Sequence, residues 1–178
     1  MVYRRAWLQI EKSFAVKCPC ISYHLVGTKK VQQALAKAGE LERFVKDPEA
    51  VKSLQDVFAG LWGLEAGNQE GLAMVEQAKA TPERFVLKPQ REGGGNNYFG
   101  AELVEQLNTM QPQELASHIL MEKIVPPTFS GTLVRANKST VGECLSELGI
   151  YGIYVGNESQ VALNEPAVRV LLILAHPY

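Results

Sequence analysis

The sequence predicts an α+β fold, with helices in the first half of the chain and mostly strands in the second. Up to about residue 80 the apolar residues recur at helical spacing, with breaks at Pro19, Gly27 and Gly39. From Phe85 onward the pattern changes to short apolar runs separated by turn residues. The 178 residues are 46% hydrophobic, which is enough apolar material for one core with, at most, a small additional lid.

Five helices are predicted in the first half, over residues 6–16, 21–26, 29–37, a segment starting at 48, and 69–78. Thr28 is a candidate N-cap for the third helix. Asp47-Pro48-Glu49 is a strong start signal for the fourth, because an N-cap aspartate precedes a proline and an acid in the first turn. Its predicted apolar stripe consists of Val51, Leu54, Val57, Phe58 and Leu61.

The second half is predicted to begin with a strand over residues 85–88 and a helix over 101–108. A strand over 119–124 ends before Pro126-Pro127. Further strands are expected over residues 132–134, 143–145, 150–155 and 160–163, with a turn at Gly156-Asn157.

Bulk composition excludes several classes of function. The net charge of −1 gives no general attraction to nucleic acid or to an anionic membrane. Cys18, Cys20 and Cys144 are too few for a disulfide framework and favour a reducing compartment. No secretory signal is present, and the apolar segment 167–175 is too short to span a bilayer. The sequence therefore predicts a cytoplasmic protein, or a plastid one if the source is a plant or alga.

The segment 84–97 carries the most informative chemistry. Along the predicted strand Phe85 and Leu87 share one face, so Lys88 lies at the end of the other face, where its ammonium group can reach a phosphate. Glu92 could bind Mg²⁺ beside that phosphate. The glycines 93–95 can present backbone N–H donors and close over an anion, and two asparagines follow them. A flexible connector is the plain alternative, and neither a Walker A loop nor a Rossmann fingerprint is present.

Several motifs occurring in one order make the resemblance specific. The motifs are CP (residues 18–19), GTKKVQQ (27–33), KPQREGGGNN (88–97), ILMEKI (119–124) and SELG (146–149). Together they resemble the eukaryotic-type glutathione synthetases over about residues 6–165. That family belongs to the ATP-grasp enzymes. The resemblance implies an ATP-grasp-like body with an antiparallel sheet and a glycine-rich lid, using ATP and Mg²⁺ to ligate γ-glutamylcysteine to glycine through an acyl phosphate.

The resemblance also implies a role for individual residues. Lys29 and Lys88 would contact ATP phosphates, and Glu92 would be a magnesium ligand. The residues expected to cover the phosphates are Gly93, Gly94, Gly95, Asn96 and Asn97. Adenine would be recognised, largely through backbone groups, by Met121, Glu122, Lys123 and Ile124. Glu147 would bind the ribose hydroxyls, and Phe99 stands where animal members have a tyrosine. From the residues alone, the plain alternatives are a solvated residue in the first turn of a helix for Lys29, a simple strand for residues 121–124 and an exposed turn carboxylate for Glu147.

The resemblance divides the chain into four segments. These are a mainly helical region (1–80), a lid segment (81–118), a sheet with the adenine and ribose site (119–165) and a divergent tail (166–178). The family pattern continues before residue 6, and after residue 165 it contains a second glycine-rich loop that this sequence does not show. We therefore expect the chain to supply the ATP-binding part of the ligase and to be inactive alone. A non-catalytic nucleotide-binding or interaction module is the alternative. A homodimer, as in the family, is the expected assembly, and β-alanine stays open as the acceptor in place of glycine.

Overall fold

A computed structural model describes residues 2–18, 20–90, 96–157 and 159–175. It confirms the predicted α+β class. The chain divides into two compact units, Met1–Ile124 and Val125–Tyr178, and each is described by itself. The division falls inside the segment 119–165 that the sequence analysis treats as one. Within the described ranges, no helix is long and apolar enough to cross a bilayer.

The first unit contains the helices. They are α1 (Val2–Lys12), α2 (Ile21–Val26), α3 (Lys29–Leu35), α4 (Pro48–Gln55), α5 (Gln69–Ala80), α6 (Gly100–Thr109) and α7 (Pro112–Leu115). Two 3₁₀ turns, Leu41–Arg43 and Pro82–Arg84, lie between them. The capping prediction for α4 is confirmed, because the Glu49 amide donates to Asp47 Oδ1 at 2.9 Å. The predicted Thr28 side-chain cap on α3 does not form.

The predicted apolar stripe of α4 is wrong beyond its first residue. Val51 is buried, but α4 ends at Gln55, and Val57 is 76% exposed. Leu61 instead begins a short strand. The stripe fails because residues 57–60 connect the helix to this strand, so their side chains no longer follow the helical period.

The four strands of the first unit form one antiparallel sheet. They are β1 (Leu61–Gly63), β2 (Phe85–Pro89), β3 (Tyr98–Phe99) and β4 (His118–Glu122), in the order β1-β4-β2-β3. The sequence predicted β2 and β4. It did not predict β1 and β3, which have only three and two residues. β1 pairs with β4, far along the chain, whereas β3 pairs with the preceding strand β2.

One face of this sheet packs against α5 and α6 and forms the core. Phe85, Leu87 and Leu120 supply the sheet side of that core. Its helical side is formed by Val75, Ala78, Leu103 and Leu107, and Leu64 completes the cluster. The predicted alternation of β2 is confirmed, because Phe85 and Leu87 lie together on the core face. Trp62 joins them, with its ring centroid 5.9 Å from that of Phe85.

The opposite face carries Lys88, and we call it the site face. Residues that pair directly across antiparallel strands lie on the same face. Gly63, Ile119 and Lys88 therefore form one row across β1, β4 and β2. The next row on this face contains Leu61, Met121, Val86 and Phe99.

The second unit is a three-stranded antiparallel sheet of β5 (Phe129–Arg135), β6 (Lys138–Gly156) and β7 (Val161–Ala175). Ala136 and Asn137 connect β5 to β6 with φ angles of 50° and 60°, as a two-residue turn matched to the strand twist requires. The strands predicted over 143–145 and 150–155 are one strand, because β6 pairs with β7 along that whole length. The predicted turn at Gly156-Asn157 is confirmed, since Asn157 Oδ1 accepts the amides of Ser159 and Gln160.

Candidate functional site

Lys88 is the centre of the candidate site. It lies near the end of β2 on the site face and is half-buried. Burial lowers the pKa of its ammonium group, and the nearby positive charge of Lys29 lowers it further. The structure thus brings together two lysines that the sequence analysis assigned to the same phosphate chain. A partly desolvated ammonium group with a second positive charge near it favours a polyanionic ligand, because the anion relieves both costs.

Lys29 is the first residue of α3, and the next residue attaches that helix to two other segments. The Lys30 peptide N–H donates to Gln90 Oε1 at 3.2 Å, and Gln90 follows Lys88 by two positions. The Lys30 ammonium donates to Glu65 Oε1 at 2.8 Å. This hydrogen bond is the main reason that the pKa of Glu65 is lowered. Residue 30 therefore connects α3 to the end of β2 and to the loop after β1.

The side chains of Glu65 and Gln33 lie close to the backbone of Gly63. A Cβ atom at this position would collide with Glu65 Oε2 and would come 3.0 Å from Gln33 Oε1. The absence of a side chain thus lets Glu65 and Gln33 approach the backbone of β1. Gln33 Oε1 is buried and has no hydrogen-bond partner among the described residues.

The sequence analysis gave no role to Lys30, Gln33, Glu65 or Gln90. Three of them stand inside the quoted motifs, so the motifs marked the region. The ion pair between Lys30 and Glu65 joins two different segments, and no local pattern in the sequence indicates such a pairing.

The end of β4 was predicted to recognise adenine through its backbone. Met121 lies on the site face in the row of Val86 and Phe99. The Glu122 amide donates to the Gly60 carbonyl at 2.8 Å, and the Lys123 amide donates to the Arg84 carbonyl at 2.8 Å. Both amides are therefore used within the protein. The next amide, that of Ile124, lies beyond the end of the strand.

The side chains at this end of the strand have different positions. The Glu122 carboxylate accepts the Gly60 amide at 3.3 Å, which extends the pairing of β4 with the β1 segment. The Lys123 ammonium lies over the ring of Phe99, with Nζ 6.0 Å from the ring centroid. Ile124 is 64% exposed. Lys123 thus lies at the Phe99 end of the apolar row, and Lys88 lies in the neighbouring row of the same face.

The remaining predicted residues of the first unit follow Lys88 in the sequence. Glu92, Gly93, Gly94 and Gly95 lie outside the described residues. Asn96 is exposed and Asn97 is half-buried, and both directly precede β3. The described residues contain no group of three or more carboxylate, imidazole or thiol side chains that could hold a metal ion.

Glu147 lies in the second unit. It is exposed on β6, where it pairs in register with Leu172 of β7. It is thus a strand residue and not the turn carboxylate that the plain interpretation of the sequence suggested.

Comparisons with known proteins identify what this chain resembles. The family model described as eukaryotic glutathione synthase, ATP binding domain, matches residues 3–171. The match thus runs beyond residue 165, into the segment treated above as divergent. Human glutathione synthetase is 49% identical over 169 residues, which is 93% of this chain and 35% of that protein. The chloroplastic glutathione synthetase of Solanum lycopersicum is 44% identical over 166 residues, 92% of this chain and 30% of that protein.

A solved structure of a related protein is also similar to this chain. The apo form of a glutathione synthetase-like effector from Globodera pallida superposes with a TM-score of 0.69 and 25% identity, covering 95% of this chain and 36% of that one. This chain therefore spans about a third of the length of the curated relatives it matches.

Proposed function

Since this chain belongs to the family of eukaryotic glutathione synthases, whose ATP-binding domain it matches over residues 3–171, we propose that it supplies the ATP-binding part of a ligase that joins γ-glutamylcysteine to glycine. Glycine reacts through its amine, and its carboxylate is unchanged in the product. The carboxylate of γ-glutamylcysteine attacks the γ-phosphorus of ATP, releases ADP and forms an acyl phosphate. The glycine amine then attacks the acyl carbon, and inorganic phosphate leaves as the amide bond forms.

The contribution of this chain is to hold and neutralise the polyphosphate. A nucleophilic carboxylate and a triphosphate are both anionic, so the first step needs fixed positive charge around the phosphates. Lys88 supplies that charge from a partly desolvated position, where an interaction with phosphate is stronger than in water, and Lys29 adds a second charge near it. Covering the acyl phosphate against water is the role we assign to residues 93–97.

Magnesium would accompany the nucleotide. This ion neutralises phosphate charge and is commonly held by only one or two carboxylates together with phosphate oxygens. One protein carboxylate, that of Glu92, would therefore be enough to hold the ion together with the phosphates. The described residues contain no larger cluster of metal-binding side chains. The assignment of Glu92 rests on its sequence position.

For the nucleoside, we propose recognition at the end of β4. The amides of Glu122 and Lys123 are used within the protein, so the Ile124 amide is the backbone donor of this strand that we assign to adenine. In the apolar row, Met121 and the exposed Phe99 suit the flat face of a base. Glu147 stays the predicted ligand of the ribose hydroxyls.

The observation that carries this proposal is the joint position of Lys29 and Lys88. It is tested by titrating Mg·ATP into the chain by calorimetry and comparing wild type with Lys88→Ala. Lys52→Ala is the matched control, because Lys52 is an exposed lysine of α4 that pairs with Asp56, four residues further along the chain. We expect ATP binding to weaken in Lys88→Ala and not in the control. Equal affinity of all three proteins would refute the site.

A second experiment tests the reaction. The chain alone, given Mg·ATP, γ-glutamylcysteine and glycine, is expected to form little or no glutathione. Adding the remaining portion of a full-length relative is expected to restore product formation. Full activity of the isolated chain would contradict the assignment of an incomplete part. Replacing glycine by β-alanine in the restored system identifies the acceptor.

A non-catalytic nucleotide-binding or interaction module is the second candidate. ATP binding without glutathione formation, even after the remaining portion is added, would support it.

Light scattering of the purified chain tests the expected homodimer. The free thiols of Cys18, Cys20 and Cys144 suit the reducing cytoplasm that we propose as its location.

A further inference from the structure

We infer that Lys30, Glu65 and Gln90 form a latch that positions Lys29 beside Lys88, so that both ammonium groups meet one polyphosphate chain. We treat the latch residues as positioning residues, since they act through the two lysines. Their effect on nucleotide binding rests on the proposed function. The latch itself is a property of the protein without nucleotide.

The latch joins the two lysines through residues that lie next to them or two positions away in the sequence. Lys30 adjoins Lys29, and its amide donates to Gln90 Oε1 at 3.2 Å. Gln90 follows Lys88 by two residues, and its own amide donates to the Ser117 carbonyl at 3.2 Å. Gln90 is therefore attached to the segment that leads into β4 while it holds α3. One hydrogen bond thus connects the backbone of α3 to the end of the strand that carries Lys88.

The side chain of Lys30 supplies the second attachment. Its ammonium donates to Glu65 Oε1 at 2.8 Å. Glu65 in turn lies over Gly63, where a Cβ would collide with Glu65 Oε2 and would come 3.0 Å from Gln33 Oε1. Gly63 and Lys88 belong to the same row of the site face. The latch therefore fixes α3 over that row from the β1 end.

A restraint is needed because Lys29 and Lys88 repel each other. Burial lowers the pKa of Lys88, and the positive charge of Lys29 lowers it further, as repulsion between the two requires. Lys29 is on a seven-residue helix in which no residue is buried. Packing alone holds such a helix weakly, so the contacts of Lys30 keep its first turn near Lys88.

The latch contributes to geometry more than to stability. The side chains of Lys30 and Glu65 are 54% and 45% exposed. Exposed ion pairs stabilise a fold little, because water screens them. Removing Glu65 should therefore move Lys29 while leaving the fold intact. A polyphosphate, which can reach both lysines, should lose more affinity than a monophosphate.

The experiment uses the full chain and compares Glu65→Ala with Glu76→Ala. Glu76 is the matched control, since it pairs with Lys79 at 3.0 Å on α5 and is not part of the latch. The dissociation constants of ATP and AMP are measured for each protein, and thermal melting follows stability. We expect Glu65→Ala to weaken ATP binding by about two- to fivefold, the scale of an exposed ion pair, while AMP binding and the melting temperature stay near wild type.

Charge exchange separates positioning from general damage. Lys30→Glu alone should weaken ATP binding, and the double variant Lys30→Glu/Glu65→Lys should recover most of it because the ion pair is restored with opposite sense. Failure of the exchange to recover any affinity would overturn the inference. So would an unchanged ratio of ATP to AMP affinity in Glu65→Ala while Lys88→Ala loses ATP. That result would leave the proposed function standing.

A second readout needs no nucleotide. The pKa of the Lys88 ammonium is measured by competitive acetylation of the chain at a series of pH values. Glu65→Ala should raise the pKa of Lys88 part of the way to its ordinary value, since Lys29 moves off while burial persists. An unchanged pKa in Glu65→Ala would overturn the latch. If wild type binds no ATP, the proposed function fails, and this labelling still decides the latch.

Discussion

The ammonium group of Lys123 lies over the ring of Phe99, with Nζ 6.0 Å from the ring centroid. Phe99 is in β3 on the site face, and Lys123 directly follows β4. A cation over an aromatic face is attracted by the negative charge of the ring face. The ring therefore holds one of the predicted adenine-strand residues in a defined place, although it lacks the hydroxyl of the tyrosine expected in animal members.

Replacing Phe99 by leucine should weaken nucleotide binding because it removes this aromatic face. The expected loss is about 0.5–1 kcal/mol, or roughly two- to fivefold in the dissociation constant of ATP. Phe99→Tyr keeps the ring and should bind at least as well as wild type. Calorimetric titration of Mg·ATP measures both variants.

The control for Phe99 is Phe44→Leu. The Phe44 ring lies under Arg43, with Cζ 5.7 Å from its centroid, in a loop that was not assigned to the site. Removing this ring should leave ATP affinity unchanged. An equal loss in Phe44→Leu and Phe99→Leu would show that the effect is not specific to Lys123.

Lys88 should lower the stability of the chain without nucleotide. Because burial and Lys29 lower its folded-state pKa, the unfolded chain binds the Lys88 proton more tightly than the folded chain does. Below the lowered folded-state pKa the group is protonated in both states, and the full cost of burying the charge is present. Stability should then rise with pH between the lowered folded pKa and the unfolded value of about 10.4.

Lys88→Met removes this cost. Urea denaturation should show a higher free energy of unfolding than wild type at about pH 7, and the difference should shrink as the pH approaches about 10. The same variant should bind ATP more weakly by about 1.5–3 kcal/mol, because a charge-assisted phosphate contact is lost. A variant that is less stable than wild type at neutral pH would show that Lys88 is held by favourable contacts and not merely desolvated.

The sequence predicts those parts of the fold that local patterns determine. The Asp47-Pro48 start of α4 was correct because capping involves only neighbouring residues. The face of Leu87 was correct because strand side chains alternate whatever the partner strand is. The strand at Leu61 was missed because its existence depends on pairing with Met121, far along the chain.

The same limit applies to the site. Lys29 and Lys88 were found individually through their motifs, yet their proximity depends on how α3 lies on the sheet. Glu65 stands in no motif, and its role becomes visible only through its hydrogen bond to Lys30. Long-range contacts of this kind carry no periodicity that a single sequence could reveal.

Asn68 should stabilise the first unit more than an ordinary helix cap does. Its Oδ1 accepts the Gly71 amide at 3.1 Å, and its Nδ2 donates to the Gly63 carbonyl at 2.9 Å. Both hydrogen bonds are partly buried, and the second joins α5 to β1. Asn68→Ala should therefore cost about 2 kcal/mol of unfolding free energy, against about 1 kcal/mol for Asp47→Ala at the exposed cap of α4.

Chemical denaturation of the two alanine variants checks this order. Asn68→Asp is the informative third variant, because aspartate keeps the acceptor for Gly71 and loses the donor to Gly63. Its stability should fall between those of wild type and Asn68→Ala. If Asn68→Asp equals wild type, the bond to Gly63 contributes nothing measurable.

Gly71 should be intolerant of any side chain even though it lies in a helix. Alanine normally favours a helix over glycine by about 1 kcal/mol. At Gly71, however, a Cβ would collide with the carbonyl oxygen of Gly63, a backbone atom of β1 that also accepts from Asn68. Backbone atoms of a sheet cannot rotate away, so α5 would have to shift off β1. We expect Gly71→Ala to destabilise the chain by about 2 kcal/mol, in the range measured for overpacked cores.

Gly142→Ala is the control, because a Cβ there meets nothing within 4 Å. Comparable losses in both variants, measured by thermal and urea denaturation, would argue against the close approach of α5 and β1.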